Sequence, residues 1–321
     1  MCQPMVGIRH ISTHLPETIL GNEQIHERFE FPEGFLEKKV GVMERRIAGA
    51  MESTSDLAVK AGERLFAETG LERKSIDLLV LCTQNPDYRL PHTSAILQDR
   101  LGLPKRVAAF DVNLGCSGFV YSLALMDGWM RSQECRNALL VTCDPYSKIM
   151  DPKDRATVPL FSDAATITHL TQDANNQLGK CVFGTDGSQA GALIVRNSGT
   201  KFEPGAKAAL HMSGRTIYEY VLRNIPAVVT ECLEKNNTDL EHVDYFILHQ
   251  ASAHMLEGLR NKLKIPEEKM VRNLAFVGNT VSSTIPMALE ELMGRTDLKG
   301  KTVLLCGFGV GLSWAATVLR F

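Results

Sequence analysis

Short unbroken apolar runs alternate along this chain with stretches whose apolar residues recur every three or four positions. Ser75-Ile-Asp-Leu-Leu-Val-Leu-Cys-Thr-Gln84, Ala138-Leu-Leu-Val-Thr-Cys143, Val243-Asp-Tyr-Phe-Ile-Leu-His-Gln250 and Thr302-Val-Leu-Leu-Cys306 are of the first kind. Phe119, Leu123, Met126 and Met130 are of the second kind, as are Ile285, Leu289 and Leu292. The first pattern predicts strands covered on both faces, the second amphipathic helices over 117–130 and 280–293. Such strands alternating with such helices predict an α/β protein of mostly parallel sheets.

The pattern is written twice. Asp77 aligns with Asp244, Cys116 with Asn279 and Ala138 with Thr302, at offsets between 163 and 167 residues. In each half a strand is followed by a turn that opens a helix, then by a second strand. The repeat divides the chain into 1–172 and 173–321, two halves of a duplicated α-β-α-β-α body. A ligand site is expected where the halves meet, near strand ends and helix N-termini. The duplication puts Cys116 and Asn279 on equivalent turns and His249 at an equivalent strand end.

Composition narrows the function classes. The 321 residues are 44 % hydrophobic and 22 % charged, with a formal net charge of −2. No basic stripe of the kind nucleic acid requires is present. The first residues lack a charged and then apolar leader, and no apolar run approaches the ~20 residues of a membrane span. A cytoplasmic protein with no membrane insertion is expected. Eight cysteines stand at 2, 82, 116, 135, 143, 181, 232 and 306, with no Cys-x-x-Cys pair, so no metal site is expected. In a reducing compartment most should be small buried hydrophobes.

Cys116 differs from the other seven by its context, Asn113-Leu-Gly-Cys-Ser-Gly118 before a helix. A helix N-terminus offers free N–H groups and a positive dipole end, which favour thiolate. A thiolate can take an acyl group from a thioester. His249 in Leu248-His-Gln-Ala-Ser252 and Asn279 in Val277-Gly-Asn-Thr280 would form a neutral donor pair for an enolate oxygen. Decarboxylation of a malonyl thioester would generate that enolate, which then attacks the acyl-cysteine. The chemistry needs no metal or organic cofactor. Backbone N–H groups of Cys116 and of Gly307-Phe-Gly-Val-Gly311 are candidates for a second oxyanion hole. Each residue alone has a plainer reading: a packed thiol, a structural histidine, a helix-capping asparagine. Their joint placement carries the argument. The glycine-rich segment is no dinucleotide loop, because no βαβ unit can follow it.

These motifs, in this order, resemble the ketoacyl-ACP synthase III family of the thiolase superfamily. Gly41-Val-Met-Glu-Arg-Arg-Ile47, Asp111-Val-Asn-Leu-Gly-Cys-Ser-Gly-Phe119, Asp151-Pro-Lys-Asp-Arg155, Phe161-Ser-Asp163, His249-Gln-Ala251, Gly278-Asn-Thr280 and Gly307-Phe-Gly-Val-Gly-Leu-Ser-Trp314 carry the likeness. The resemblance implies the thiolase fold, a homodimer, an acyl-CoA donor and a malonyl-carrier-protein (or malonyl-CoA) extender. It makes Cys116 the acylated nucleophile and His249 and Asn279 the decarboxylation pair, with the N–H groups of Cys116 and Val310 as oxyanion hole. It sets Phe35, Lys39 and Arg155 against CoA. It places Leu90 across a dimer in the partner's acyl pocket, and Arg215, Arg223 and His254 toward the acyl carrier protein.

The chain also departs from that pattern. Phe161-Ser-Asp-Ala-Ala165 replaces a more glycine-rich segment. Ser252 stands for an asparagine, His254 for an arginine and Glu219 for a lysine. These changes point to a specialised member, for instance of secondary metabolism. Three rival functions are weighed against the condensing reading. A thiolase needs a second cysteine where Gly307 stands, and strand alternation turns Cys306 the other way. An acyltransferase to an alcohol or amine, and a non-catalytic partner of a heterodimeric synthase, remain alternatives.

Overall fold

The computed structural model describes residues 6–321 of the chain, so Cys2 lies outside the described residues. Strands β1 (Gly7–His14) and β2 (Thr18–Gly21), helix α1 (Asn22–Arg28) and strand β3 (Glu44–Ile47) open it. Helix α2 (Thr54–Thr69), β4 (Leu78–Cys82), α3 (Thr93–Arg100), β5 (Ala108–Val112), α4 (Gly118–Ser132), β6 (Asn137–Cys143) and β7 (Ala165–Thr171) follow. Next come β8 (Gln177–Leu178), β9 (Val182–Thr185), β10 (Leu193–Val195), β11 (Leu210–Met212), α5 (Gly214–Lys235), β12 (Tyr245–Leu248) and α6 (Ala253–Leu263). Helix α7 (Thr284–Arg295) and the strands β13 (Thr302–Gly309) and β14 (Ser313–Arg320) end the chain.

Two sheets form the frame. The first runs β5-β4-β6-β7-β1, the second β12-β13-β14 with both β8 and β9 on the edge of β14. The alternation of the buried runs builds the layers. Leu78, Val80 and Cys82 of β4 and Val303 and Leu305 of β13 join one core between the sheets, around Phe119, Leu123 and Met126 of α4 and Ile285, Leu289 and Leu292 of α7. Leu79 and Leu81 face outward onto Leu57, Ala61 and Leu65 of α2. Leu304, Cys306 and Phe308 face the opposite side, where Val229 of α5 and Leu256 of α6 cover them. The result is a five-layered α-β-α-β-α body, the architecture that the resemblance implies. Helix α2 shows how local signals punctuate it: Ser53 and Asp56 close a capping box, and Gly70 ends the helix in the left-handed region at φ 64°.

The strand order repeats with the sequence. β4 pairs parallel with β6, which pairs antiparallel with β7; β12 pairs parallel with β13, which pairs antiparallel with β14. An isolated parallel bridge, Phe246 to Met270, stands where β5 pairs with β4 in the first sheet. The sheets are therefore mixed, not mostly parallel as the apolar runs predicted. A strand covered by helices on both faces reads as continuous apolar sequence whichever way its neighbour runs. The short turn from Gly309 to Ser313 forces β13 and β14 antiparallel.

The helices over 117–130 and 280–293 are found with one shift. α4 starts at Gly118, but α7 starts only at Thr284, after a single 3₁₀ turn, Val281–Ser283. Val281 has φ 57°, a left-handed conformation costly for a β-branched residue, and it breaks the helical path just after Asn279. Among the described residues no helix is long and apolar enough to cross a membrane.

Candidate active site

Cys116, His249 and Asn279 open on one cavity of about 830 Å³. All three are buried, at 4 %, 2 % and 2 % exposure. Cys116 arrives from the end of β5, one residue before the N-cap of α4. His249 follows β12, and its N–H donates to the Cys306 carbonyl at 2.9 Å, which continues the pairing with β13. Asn279 is held by a bridge to the 160–162 segment: its N–H donates to Leu160 O (3.0 Å) and its carbonyl accepts from Ser162 N–H (2.9 Å).

Strand β13 supplies the back wall. A Cβ at position 307 would lie 2.5 Å from the Cys116 carbonyl oxygen, and one at 309 would lie 2.9 Å from Cys116 Sγ. Only glycine lets the two backbones approach so closely. Cys306 sits on the other face of β13, among the α5 and α6 side chains. The backbone N–H groups of Cys116 and Val310 lie close enough to Cys116 Sγ to favour its thiolate. Ser313 steadies the Val310 peptide by donating to its carbonyl (2.8 Å) and shares a 2.7 Å hydrogen bond with Ser117.

The electrostatics differ from what the helix N-terminus predicted. Burial pushes the Cys116 thiol up, to about 12, and the Asp144 carboxylate adds to it, against the two N–H groups. Desolvation outweighs the helix end, and the resting group is a thiol. Asp144 is itself buried and pushed up to about 6 by desolvation. Its hydrogen bonds from Gln84 N–H (2.7 Å) and the Ser282 hydroxyl oppose that rise. Burial alone lowers His249 to about 3, so the imidazole is neutral across the physiological range.

Hydrogen bonds fix which atoms face the cavity. The Thr284 hydroxyl donates to the Val281 carbonyl (3.0 Å), so its oxygen accepts the Nδ1–H of His249 (2.7 Å). Nε2 is left as a bare acceptor. A neutral donor pair is therefore incomplete at rest, because the histidine must first gain a proton at Nε2. Asn279 is ready as it stands. Its Oδ1 accepts from Val281 N–H (3.0 Å) and its Nδ2 donates toward Ala251 O (3.4 Å), which leaves an amide hydrogen over.

The remaining predicted residues divide between mouth and outer surface. Phe35, Lys39, Arg155, Arg215 and His254 line the cavity. His254 lies flat against Tyr218, ring centroids 4.6 Å apart, and Arg215 is paired with Glu219 at 2.8 Å. Arg223 is exposed on α5 and Leu90 is 83 % exposed; neither lines the cavity. Inside, Phe161, Leu193 and Met212 make the wall apolar. Sequence reading missed Asp144, Thr284, Phe308 and Phe31. Only Asp144 had a local signal, a carboxylate at the end of the buried run 138–143. Phe308 packs edge-on against the His249 ring at 5.6 Å.

Comparison with known proteins gives the family. Residues 110–187 match the family model for 3-oxoacyl-[acyl-carrier-protein] synthase III, and residues 233–321 match the model for its C-terminal part. A β-ketoacyl-[acyl-carrier-protein] synthase III of Clostridium perfringens is 35 % identical over 314 residues, 96 % of each chain. One from Roseiflexus castenholzii is also 35 % identical, over 96 % of this chain and 95 % of its own. The crystal structure of a 3-oxoacyl-(acyl-carrier protein) synthase from Burkholderia xenovorans superimposes with a TM-score of 0.92 at 36 % identity, covering 98 % of this chain and 93 % of that one. A priming β-ketosynthase of the R1128 polyketide pathway superimposes with a TM-score of 0.91 at 25 % identity, over 99 % and 97 % of the two chains. Sequence and fold agree: the chain belongs to the 3-oxoacyl-[acyl-carrier-protein] synthase III family.

Proposed function

We propose that the protein is a condensing enzyme that captures an acyl group from acyl-CoA on Cys116 and joins it to a malonyl unit on an acyl carrier protein. The observation that carries the reading is the shared cavity, with a thiol, an imidazole acceptor, an amide donor and two backbone N–H groups beside the thiol sulfur.

Attack of Cys116 Sγ on the acyl carbon forms the S–C bond, and the bond to the CoA sulfur breaks. The thiol proton passes to His249 Nε2 as the attack proceeds, and the departing CoA thiolate takes a proton from solvent. The N–H groups of Cys116 and Val310 hold the oxyanion in between. The malonyl thioester then loses carbon dioxide, and the electron pair of the broken C–C bond moves into an enolate. Nε2–H of His249 and Nδ2–H of Asn279 donate to its oxygen. The enolate carbon attacks the acyl carbon, the bond to Sγ breaks, and the thiolate recovers its proton from His249. The balance closes without a cofactor.

Phe35, Lys39 and Arg155 are assigned to the CoA end of the donor. Arg215, Arg223 and His254 are assigned to the carrier protein. A homodimer is assigned to the first sheet's edge. β5 is an unpaired edge strand on one side, and Leu125, Trp129 and Phe183 are exposed apolar residues at 44 %, 37 % and 45 %. Leu90, far out of its own cavity, is assigned to the partner's acyl pocket.

Mass spectrometry after incubation with an acyl-CoA panel, then with malonyl-carrier-protein, tests the sequence of steps. The native protein should gain the acyl mass on Cys116 and lose it on adding malonyl-carrier-protein. Cys116→Ala should gain none. Asn279→Ala should acylate normally and condense about 10²–10³-fold more slowly, the usual cost of one oxyanion donor. An adduct that malonyl never resolves would favour transfer to an alcohol or amine instead.

A further inference from the structure

One side of the cavity mouth is built from a short turn segment, residues 31–35. Phe31 precedes Pro32 and is thereby held extended. Pro32 to Phe35 form a turn closed by Phe35 N–H to Pro32 O (3.0 Å), with Gly34 at φ 70°. The turn folds Phe35 back onto Phe31. Their rings are stacked, with centroids 5.1 Å apart and planes 1° from parallel. The Arg155 guanidinium lies over the Phe31 ring at 5.1 Å and is anchored by a 3.0 Å hydrogen bond to the Glu30 carbonyl. Lys39 and Arg155 line the same mouth, and among the described residues neither has a carboxylate in ion-pair range. No Asp or Glu is among the described residues that line the cavity. A mouth with unpaired cations, a flat guanidinium and stacked rings suits a donor that ends in phosphates and a flat base.

In this chain Phe31 already covers one face of Phe35 and one face of Arg155. We propose that Phe31 competes with the donor's base for the faces of Phe35 and Arg155, so that the site accepts acyl groups on a bare pantetheine arm almost as well as on CoA. The inference rests on the reading that a thioester donor enters through this mouth. A base that slots between Phe35 and Arg155 must displace Phe31 from the two faces it covers, and the stacking it makes is of the same kind as the stacking it breaks. Ring stacking and exposed guanidinium–ring pairs are each worth no more than roughly tenfold in affinity, so the exchange comes out close to even. Phe31 is thus a specificity-determining residue that turns preference away from the nucleotide end of the donor.

The test compares acylation of Cys116 by acetyl-, butyryl- and octanoyl-CoA with acylation by the matching pantetheine thioesters, as kcat/KM. In the native chain CoA thioesters should be favoured by less than about tenfold. Phe31→Ala should raise the CoA rates roughly five- to tenfold and leave the pantetheine rates within about twofold. Phe31→Leu keeps the apolar volume against Phe29 and Phe35 and should show the same selectivity shift with an unchanged melting temperature. A native preference of a hundredfold or more for CoA overturns the inference. So does a Phe31→Ala protein in which the CoA rates fall selectively, or in which the ratio does not move. No acyl mass on Cys116 from any thioester overturns the acyl-capture reading, and this inference with it.

Discussion

The floor of the cavity and its mouth are made differently. At the floor each polar side chain is held by a buried partner, Thr284 on His249, Val281 N–H on Asn279, and Gln84 and Ser282 on Asp144, which leaves only His249 Nε2 and one Asn279 amide hydrogen to the cavity. At the mouth the cations are exposed, and the packing is by ring stacks and a guanidinium over a ring. The floor comes from strand ends and helix starts of both halves, held by sheet pairing. The mouth comes from the 29–40 segment, the start of α5 and the start of α6. Buried, saturated hydrogen bonds specify one geometry and make it expensive to alter. Exposed charges and stacks cost little to change. Chemistry is thus fixed at the floor, and donor choice is left to the mouth. The same substitution should cost orders of magnitude at one end and a few-fold at the other.

Gly309→Ala is the largest expected break in that contrast. The added methyl would stand 2.9 Å from both Cβ and Sγ of Cys116, and it would be carried by β13, paired on both sides with β12 and β14 and unable to back away cheaply. Overpacking should cost about 1–3 kcal/mol of stability. Displacement of the thiol from its N–H groups should slow acylation roughly a hundredfold. Thermal melting and the rate of Cys116 acylation measure the two parts. A variant that acylates at the native rate would show that the back wall does not position the sulfur.

Much of the floor was legible in the sequence, and the reason is physical. Cys116, His249 and Asn279 sit at ends of elements that the apolar periodicity marks, and the repeat aligns those ends. The antiparallel edges were not legible, because doubly covered strands give one apolar signature for either direction. Nor was the protonation state of the site. The turn Asn113-Leu-Gly-Cys116 announces a helix N-terminus, but nothing local announces that Asp144 and full burial will outweigh it. Thr284 is one of several hydroxyl residues in 280–284, and only the fold shows which of them meets the imidazole. At the mouth, Phe35 and Arg155 were read from family likeness. Phe31 was not, because its role comes from a turn that brings residues 31 and 35 face to face.

A subtler test of the floor is Thr284→Val, which keeps the shape and removes the acceptor of Nδ1–H. The lost hydrogen bond, worth about 1 kcal/mol, should lower condensation about fivefold. It should also release the tautomer. Ring ¹⁵N shifts of His249 should report a single Nδ1–H form in the native protein and a mixture in the variant, and Thr284→Ser should restore the single form. The same spectra test the burial effect. Because desolvation lowers His249 to about 3, its neutral-ring signals should hold steady as pH falls from 8 to 5. A titration centred near the ordinary 6.5 would mean that the site is wet and its hydrogen bonds are weak.

The smallest effect is expected at Lys39. It is an exposed cation with no carboxylate partner among the described residues, facing solvent across the cavity mouth. Such a charge contributes about 0.2–1 kcal/mol to a phosphate it meets, and salt screens it. Lys39→Ala should raise KM for acyl-CoA about two- to fivefold at low ionic strength, with kcat unchanged. The difference from the native protein should fade as salt is raised, and pantetheine thioesters should not sense the substitution. A change in kcat, or an effect that salt leaves untouched, would mean that Lys39 belongs with the floor and that the division between saturated floor and permissive mouth is drawn in the wrong place.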